Sequence, residues 1–243
     1  MTVIEKADRF TQAQPSTAWR RWAVVFGLAA AACAGIYIVY FSSLLTVHEE
    51  RVLGAVHVSA DAVRQAAKVP AGTQLARVDV AGITERVADL PWVKSVEVRR
   101  GWPNVLVIVV GERTPVAVVP AGKSFSYIDP TGTTFDVIAK APVGLPILSA
   151  RDAIAKGAGA AVLAELPVSF RNQIPRVVAT SRDNVLLTLA GPAYVQWGSA
   201  ENSKRKYAVL SALLHLHARF YDVSAPDLPT TRGTVSGTAP TAG

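Results

Sequence analysis

From Trp22 to Val47 the sequence carries no Asp, Glu, Lys, Arg or His. That run is longer than the roughly 20 apolar residues a helix needs to cross a bilayer. Arg20 and Arg21 precede it directly, and His48, Glu49, Glu50 and Arg51 follow. Residues 1–21 hold Lys6, Arg9, Arg20 and Arg21 against only Glu5 and Asp8. Short basic flanks stay on the cytoplasmic side. The expected topology is a cytoplasmic tail over 1–21, a transmembrane helix over 22–47, and the remainder outside. Ala32-Cys33-Ala34 has the A-x-A form of a signal-peptide cleavage site. Uncharged, mostly apolar residues nevertheless continue from Gly35 to Leu44, past the point where a signal's apolar region ends. A lipoprotein site at Cys33 would want a Leu-like residue where Ala30 stands, so an uncleaved anchor is expected.

Cys33 is the single cysteine and sits inside this run. An intrachain disulfide is therefore impossible and a cysteine zinc cluster is excluded, leaving the outer part to be held by its core. The net charge is +7, but the basic residues are dispersed, with Lys204-Arg205-Lys206 the one short cluster. No aromatic-rich RNA motif accompanies them, which argues against nucleic acid as a partner.

The pattern outside the membrane divides near residue 115. Residues 48–115 read as strand, helix, helix, strand, strand. Val52 opens the first strand and Gly54 marks a turn or bulge. Ser59 caps a helix whose Val63, Ala66 and Ala67 share a face, and Pro70 and Gly72 stop it. A second helix over about 80–90 presents Ile83, Val87 and Leu90 at helical spacing. Pro91-Trp92 closes it. Val96 and Val98 then alternate with Glu97 and Arg99, as in a strand with one buried face. Gly101-Trp102-Pro103-Asn104 turns the chain into the apolar run Val105–Val110. A core of Val96, Val98, Leu106 and Ile108 is expected.

Residues 116–225 read as mostly β. Strands are expected at 116–119, 125–129 and 133–137, with a turn at Asp129-Pro130-Thr131-Gly132. An Ala-rich helix over about 150–165 follows, then strands near 174–181, 184–190 and 193–197. A long helix from the cap Ser199 is expected to turn Tyr207, Leu210, Leu213, Leu214 and Leu216 inward. Arg219–Ser224 reads as a last short strand. From Ala225 onward the composition of Pro, Thr, Gly and Ala predicts a disordered tail, 226–243.

No catalytic set emerges. His215 and His217 are two apart, which places their rings on different sides of a helix, unlike the i, i+4 spacing of zinc helices. Gly157-Ala-Gly159 begins like a dinucleotide loop but lacks the third glycine and a preceding strand of the right kind, and reads as a flexible helix start. No G-x-S-x-G nucleophile elbow exists. Glu112-Arg113 reads as a structural ion pair or turn rather than an acid/cation site. The chain is expected to be no enzyme and to need no cofactor or metal.

Several stretches, in order, resemble the bacterial cell-division family FtsQ/DivIB, of the type found in high-GC Gram-positive organisms. They are Leu90-Pro91-Trp92-Val93-Lys94-Ser95-Val96-Glu97-Val98-Arg99-Arg100-Gly101-Trp102-Pro103-Asn104-Val105-Leu106, continuing into Val109-Val110-Gly111-Glu112-Arg113-Thr114-Pro115-Val116-Ala117. Ile128-Asp129-Pro130-Thr131-Gly132 and Leu145-Pro146-Ile147-Leu148 follow. Val195-Gln196-Trp197-Gly198, Lys206 and Tyr221-Asp222-Val223-Ser224-Ala225-Pro226 complete the set. Glu50 stands where the family has an apolar residue, and Asn104 replaces a common Thr.

The resemblance implies an α+β protein: one transmembrane helix, a POTRA domain, then a mixed β domain with flanking helices. It also implies a scaffold without catalysis that links early division proteins to septal wall synthesis by binding FtsB- and FtsL-like bitopic chains. The expected place is the cytoplasmic membrane at the septum. The partner strand is expected on the open edge of Phe220, Tyr221, Asp222, Val223 and Ser224. Two rivals fare worse. An outer-membrane POTRA assembly protein would need about 160 residues for a barrel of about sixteen strands, more than remain after Pro115. A membrane-tethered wall hydrolase would need paired carboxylates or an activated nucleophile.

Overall fold

The computed structural model describes residues 17–41 and 45–234. The expectations for residues 1–16 of the tail, 42–44 of the apolar run and 235–243 at the C-terminal end lie outside the described residues. Helix α1 spans Thr17–Phe41. Its stretch Trp19–Tyr40 is 22 residues long with mean hydropathy 2.1 and no part buried, so it fits a single membrane pass. The helix stops short of Val47. Thr46 bridges to Gln74 and Val47 N–H donates to Thr73 O at 2.9 Å, which ties both residues to folded structure.

The chain divides into two compact units. The first takes in residues up to Leu53, Ala60–Val87 and Val96–Val109; the second takes in Gly54–Ser59, Ala88–Ser95 and everything from Val110. β1 (Glu49–Leu53), β2 (Val93–Gly101) and β3 (Val105–Glu112), of which the first unit holds all but Val93–Ser95 and Val110–Glu112, form a sheet in the order β1-β3-β2. β1 runs parallel to β3, with Glu50 opposite Leu106 and Val52 opposite Ile108. A parallel pair cannot be joined by a tight turn, and α2 (Ala60–Ala67) and α3 (Val80–Ala88) lie in the long connection. Val63, Ala67, Leu75, Ile83, Val87, Leu106 and Ile108 are buried. Carbonyls at the helix ends are capped by arginines: Arg86 donates to Ala67 O at 2.8 Å, and Arg100 to Leu75 O and Val78 O at 2.9 Å. Val96 and Val98 are only half-buried, because β2 is an edge strand. Of the expected core, Leu106 and Ile108 hold.

The second unit is a nine-stranded sheet. Its strands are β4 (Ala117–Ala121), β5 (Ser124–Ile128), β6 (Thr134–Ile138), β7 (Ile147–Ala150), β8 (Arg176–Ser181), β9 (Asn184–Thr188), β10 (Tyr194–Gln196), β11 (Ala218–Asp222) and β12 (Thr230–Thr234). The order is β12-β11-β10-β9-β8-β7-β4-β5-β6. Hairpins make the antiparallel pairs. Of the three parallel pairs, β4–β7, β7–β8 and β10–β11, the last two are bridged by helical crossovers. The first crossover holds α4 (Ala153–Glu165) and the one-turn α5 (Val168–Arg171); the second holds α6 (Ser203–Leu213). The helix-facing core includes Leu148, Leu163, Val177, Leu187, Val195, Trp197, Leu210 and Tyr221.

Three local expectations shift. α4 starts at Ala153, where Asp152 caps Ala155 N–H at 2.8 Å, because Ile147–Ala150 is a strand. Gly157 and Gly159 therefore lie inside α4. A Cβ on Gly159 would stand 2.5 Å from Leu148 Cδ1, and one on Gly132 (φ +84) would stand 2.8 Å from Gly157 Cα, so these glycines permit close packing. α6 is preceded by Asn202 rather than Ser199, and Leu216, just past its end, is 45% exposed.

Candidate partner-binding edge

β11 is an inner strand. Its Phe220, Tyr221 and Asp222 pair with Tyr194, Val195 and Gln196 of β10, and with Arg232, Thr231 and Thr230 of β12. The open edge expected at Phe220–Ser224 is therefore covered by residues 230–234, which were expected to be disordered. An edge strand needs pairing on one side only, and the β-branched Thr230 and Thr231 suit it. Tyr221 and Val223 are 2% and 0% exposed. Val223 N–H already donates to Gln196 O at 3.0 Å, so a proline there would break an internal bond rather than bar a partner. Asp222 Oδ1 accepts from Ser224 N–H and Oγ–H at 3.0 and 2.6 Å, holding the turn. Phe220 is half-buried, with the Arg232 guanidinium 6.0 Å from its ring centroid.

The sheet thus ends on β12 at one side and β6 at the other, and the two edges differ. β6 is interrupted: its register against β5 shifts between Ser126 and Tyr127, and Asp136 has φ +48. Asp136 Oδ2 accepts from Trp92 Nε1–H at 2.7 Å. Bulges and inward-held charges are the usual means of blunting an edge. β12 keeps one register from Asp222↔Thr230 to Ala218↔Thr234, with Gly233 at φ +66, and Thr231, Arg232 and Gly233 are exposed.

The motif residues near Glu112 form a clamp within the second unit. The Glu112 carboxylate accepts from the backbone N–H groups of Val56 (2.7 Å), His57 (2.9 Å) and Val58 (3.0 Å), with His57 Nδ1 2.9 Å from its other oxygen. Burial by itself pushes this carboxyl upward, but the three N–H donors and His57 outweigh it and hold the pKa at about 2. The His57 ring stacks on Trp92 at 4.6 Å, and Trp92 also meets Phe135 edge-on and Tyr127 at a tilt. Arg113 donates to Asp129 Oδ2 at 2.6 Å. The other Asp129 oxygen accepts from Thr131 and Thr133 and closes the turn before Gly132. These bonds hold Asp129 below the usual carboxylate range despite burial, which acts to raise it.

A second motif group closes the β10–α6 connection. Trp197 is fully buried and its Nε1–H donates to Ser203 Oγ at 3.1 Å. Gly198 (φ +77) lets the chain pass Ser224, and Lys206 Nζ, 2% exposed as a residue, donates to Ser199 O at 2.9 Å. Burial lowers the Lys206 pKa. Glu112, Arg113, Asp129 and Gly132 thus lie in the clamp or the neighbouring turn, Pro91 precedes Trp92 and Pro115 precedes β4 along the chain, and Pro103 sits on the exposed β2–β3 turn. The roles of His57, Asp136 and Ser203 were not legible beforehand: each partner lies far away in sequence or depends on a turn no pattern announces. Among the described residues no group of three His, Cys, Asp or Glu side chains could hold a metal.

One membrane-length apolar helix followed by folded α+β units fits the single-pass class of membrane protein, and two consecutive stretches of the chain match known domain types. Residues 46–113 match the model of the FtsQ-type POTRA domain, and residues 117–228 match that of the FtsQ/DivIB cell-division protein C-terminal domain. Among curated relatives, a cell division protein FtsQ of Streptomyces collinus is 32% identical, covering 96% of this chain and 98% of its own. That of Streptomyces bingchenggensis is 34% identical, covering 86% and 85%, and that of Mycobacteroides abscessus is 34% identical, covering 80% and 64%. The chain belongs to the FtsQ/DivIB family of cell-division proteins. A solved extracytoplasmic domain of the cell division protein DivIB from Geobacillus stearothermophilus is 21% identical over 43% of this chain, with a TM-score of 0.35.

Proposed function

We propose that this chain is a non-enzymatic scaffold of the division machinery that takes up a strand from an FtsB- or FtsL-type bitopic partner along β12. The observation that carries the reading is the contrast between the two sheet edges: β6 is bulged and its Asp136 is held by Trp92, whereas β12 keeps one register, is exposed and, among the described residues, has no strand on its far side. Main-chain hydrogen bonds to such an edge supply affinity, and alternate side chains supply selectivity. The basic Arg20-Arg21 flank supports an N-terminus in the cytoplasm, with both folded units outside the cytoplasmic membrane, at the septum, where they meet wall-synthesis proteins. A cleft of about 510 Å³ beside α4 is lined by one carboxylate, Asp152, which caps α4. That favours a scaffold over a wall hydrolase.

Removing residues 229–243 tests the reading. The truncated full-length protein, in detergent, is expected to lose at least tenfold in affinity for a co-expressed FtsB-type chain, with its circular dichroism otherwise kept. Unchanged binding would move the contact away from β12.

A further inference from the structure

In the first unit, the β2–β3 turn, residues 101–104, stands where the chain arrives from α1. His48 N–H donates to Asn104 O at 2.9 Å, and Val47 N–H donates to Thr73 O at 2.9 Å. The incoming chain therefore passes between this turn and a second one, residues 70–73, whose Pro70, Ala71 and Gly72 are exposed. β1 runs parallel to β3 with Glu49 opposite Val105, so both strands start at the end of the sheet nearest α1. α1 also meets the one-turn helix Leu75–Arg77, just past the second turn. At about 1.5 Å per residue, Trp19–Tyr40 already covers the roughly 30 Å apolar core of a bilayer. Both turns thus lie next to the membrane surface.

Trp102 is 54% exposed on the first of these turns, beside exposed Pro103. Its indole makes no hydrogen bond or ring contact among the described residues, whereas Trp92 donates to Asp136 and Trp197 to Ser203. A lone apolar side chain on a surface is ordinary; one beside a membrane has a solvent to match. Tryptophan suits the headgroup layer, where the ring is in apolar surroundings and the N–H stays wet. α1 carries the same pattern, with Trp19 and Trp22 exposed near its start and Tyr37 and Tyr40 near its end. The charges flanking the turn are engaged: Glu49 pairs with Arg51, Glu97 with Arg99, and Arg100 binds the Leu75 and Val78 carbonyls.

We propose that Trp102 and Pro103 rest in the headgroup layer of the bilayer that α1 spans and dock the first unit on the membrane. The contact is aromatic rather than electrostatic, because the neighbouring charges already have partners, so a zwitterionic lipid surface suffices. It gives the first unit a second hold on the bilayer besides the chain connection, which restricts its rotation about the end of α1. It stands or falls apart from strand addition, since Trp102 belongs to the first unit and β12 to the second.

Tryptophan fluorescence of the full-length protein tests this, in phosphatidylcholine vesicles with and without bromine on the acyl chains. Bromine quenches tryptophan only on close approach, and Trp19 and Trp22 of α1 report insertion in the parent and in Trp102→Ala alike. The emission of the parent minus that of Trp102→Ala is the signal of Trp102. It is expected to lie to the blue of tryptophan in water and to fall to about half or less in the brominated vesicles. Circular dichroism should stay unchanged, because the side chain is exposed. Emission like that of tryptophan in water, equal in the two vesicles, would overturn the proposal. Blue-shifted emission that bromine leaves alone would overturn it too, by setting Trp102 against a protein surface such as a second copy of this chain. Quenching that appears only after phosphatidylglycerol is added would replace the aromatic contact by an electrostatic one.

Discussion

Glu112→Ala is expected to destabilise the second unit by about 2–3 kcal/mol, measured by urea unfolding of the full-length protein in detergent with tryptophan fluorescence as the probe. The carboxylate satisfies three consecutive backbone donors, Val56, His57 and Val58, and its removal leaves them to water or to nothing. Bonds to a charged acceptor contribute about 1.5–3 kcal/mol each in favourable cases. Val56 is 83% exposed, so solvent replaces part of the loss. The pH dependence bounds the effect independently. The folded carboxyl is held at about 2 against an ordinary 4.5, a difference that corresponds to at most about 3.4 kcal/mol. Because the folded pKa is depressed, this stability is fully present above about pH 4.5 and is lost as pH falls toward 2. The parent should therefore lose stability on acidification through that window more steeply than Glu112→Ala. Parallel slopes for the two proteins would mean that the clamp does not hold the loop.

Leu106→Ala is expected to cost about 2–5 kcal/mol in the same measurement. Leu106 is fully buried on the central strand of the β1-β3-β2 sheet, opposite Glu50 of β1, and neither flanking strand can easily close a void there. A loss below about 0.5 kcal/mol would place its side chain at the surface. Val98→Ala should cost less than Leu106→Ala, because its strand is an edge.

That difference shows where sequence pattern reads well and where it does not. The apolar run, the strand–helix–helix–strand–strand order of the first unit and the turn around Asp129–Gly132 were legible because each rests on local periodicity or local turn chemistry. Alternation at Val96 and Val98 reveals which face points inward, but whether that face is covered depends on the strand's place in the sheet, a property of topology. β7 was missed for a related reason. Four residues after Pro146 are too short to alternate, and their strand character comes from parallel neighbours, β4 and β8, on either side. β12 was missed because its composition resembles a disordered tail, while its order comes from hydrogen bonds to β11. That omission had placed the candidate site one strand too far in, at Phe220–Ser224 rather than at Thr230–Thr234. Glu112-Arg113 was expected to form a structural ion pair or turn, but the two residues engage separate partners. Those partners were not legible, since they are backbone groups over fifty residues upstream and an aspartate sixteen residues downstream.

Amide hydrogen exchange of the full-length protein with and without its FtsB-type partner tests the β12 edge most directly. A strand added there gives acceptors to the N–H groups of β12 that point away from β11. The expected result is slowed exchange within residues 230–234 on binding, with residues 134–138 of the opposite edge unchanged. Protection at 134–138, or in the first unit, with no change over 230–234 would contradict the assignment of β12 as the partner's seat.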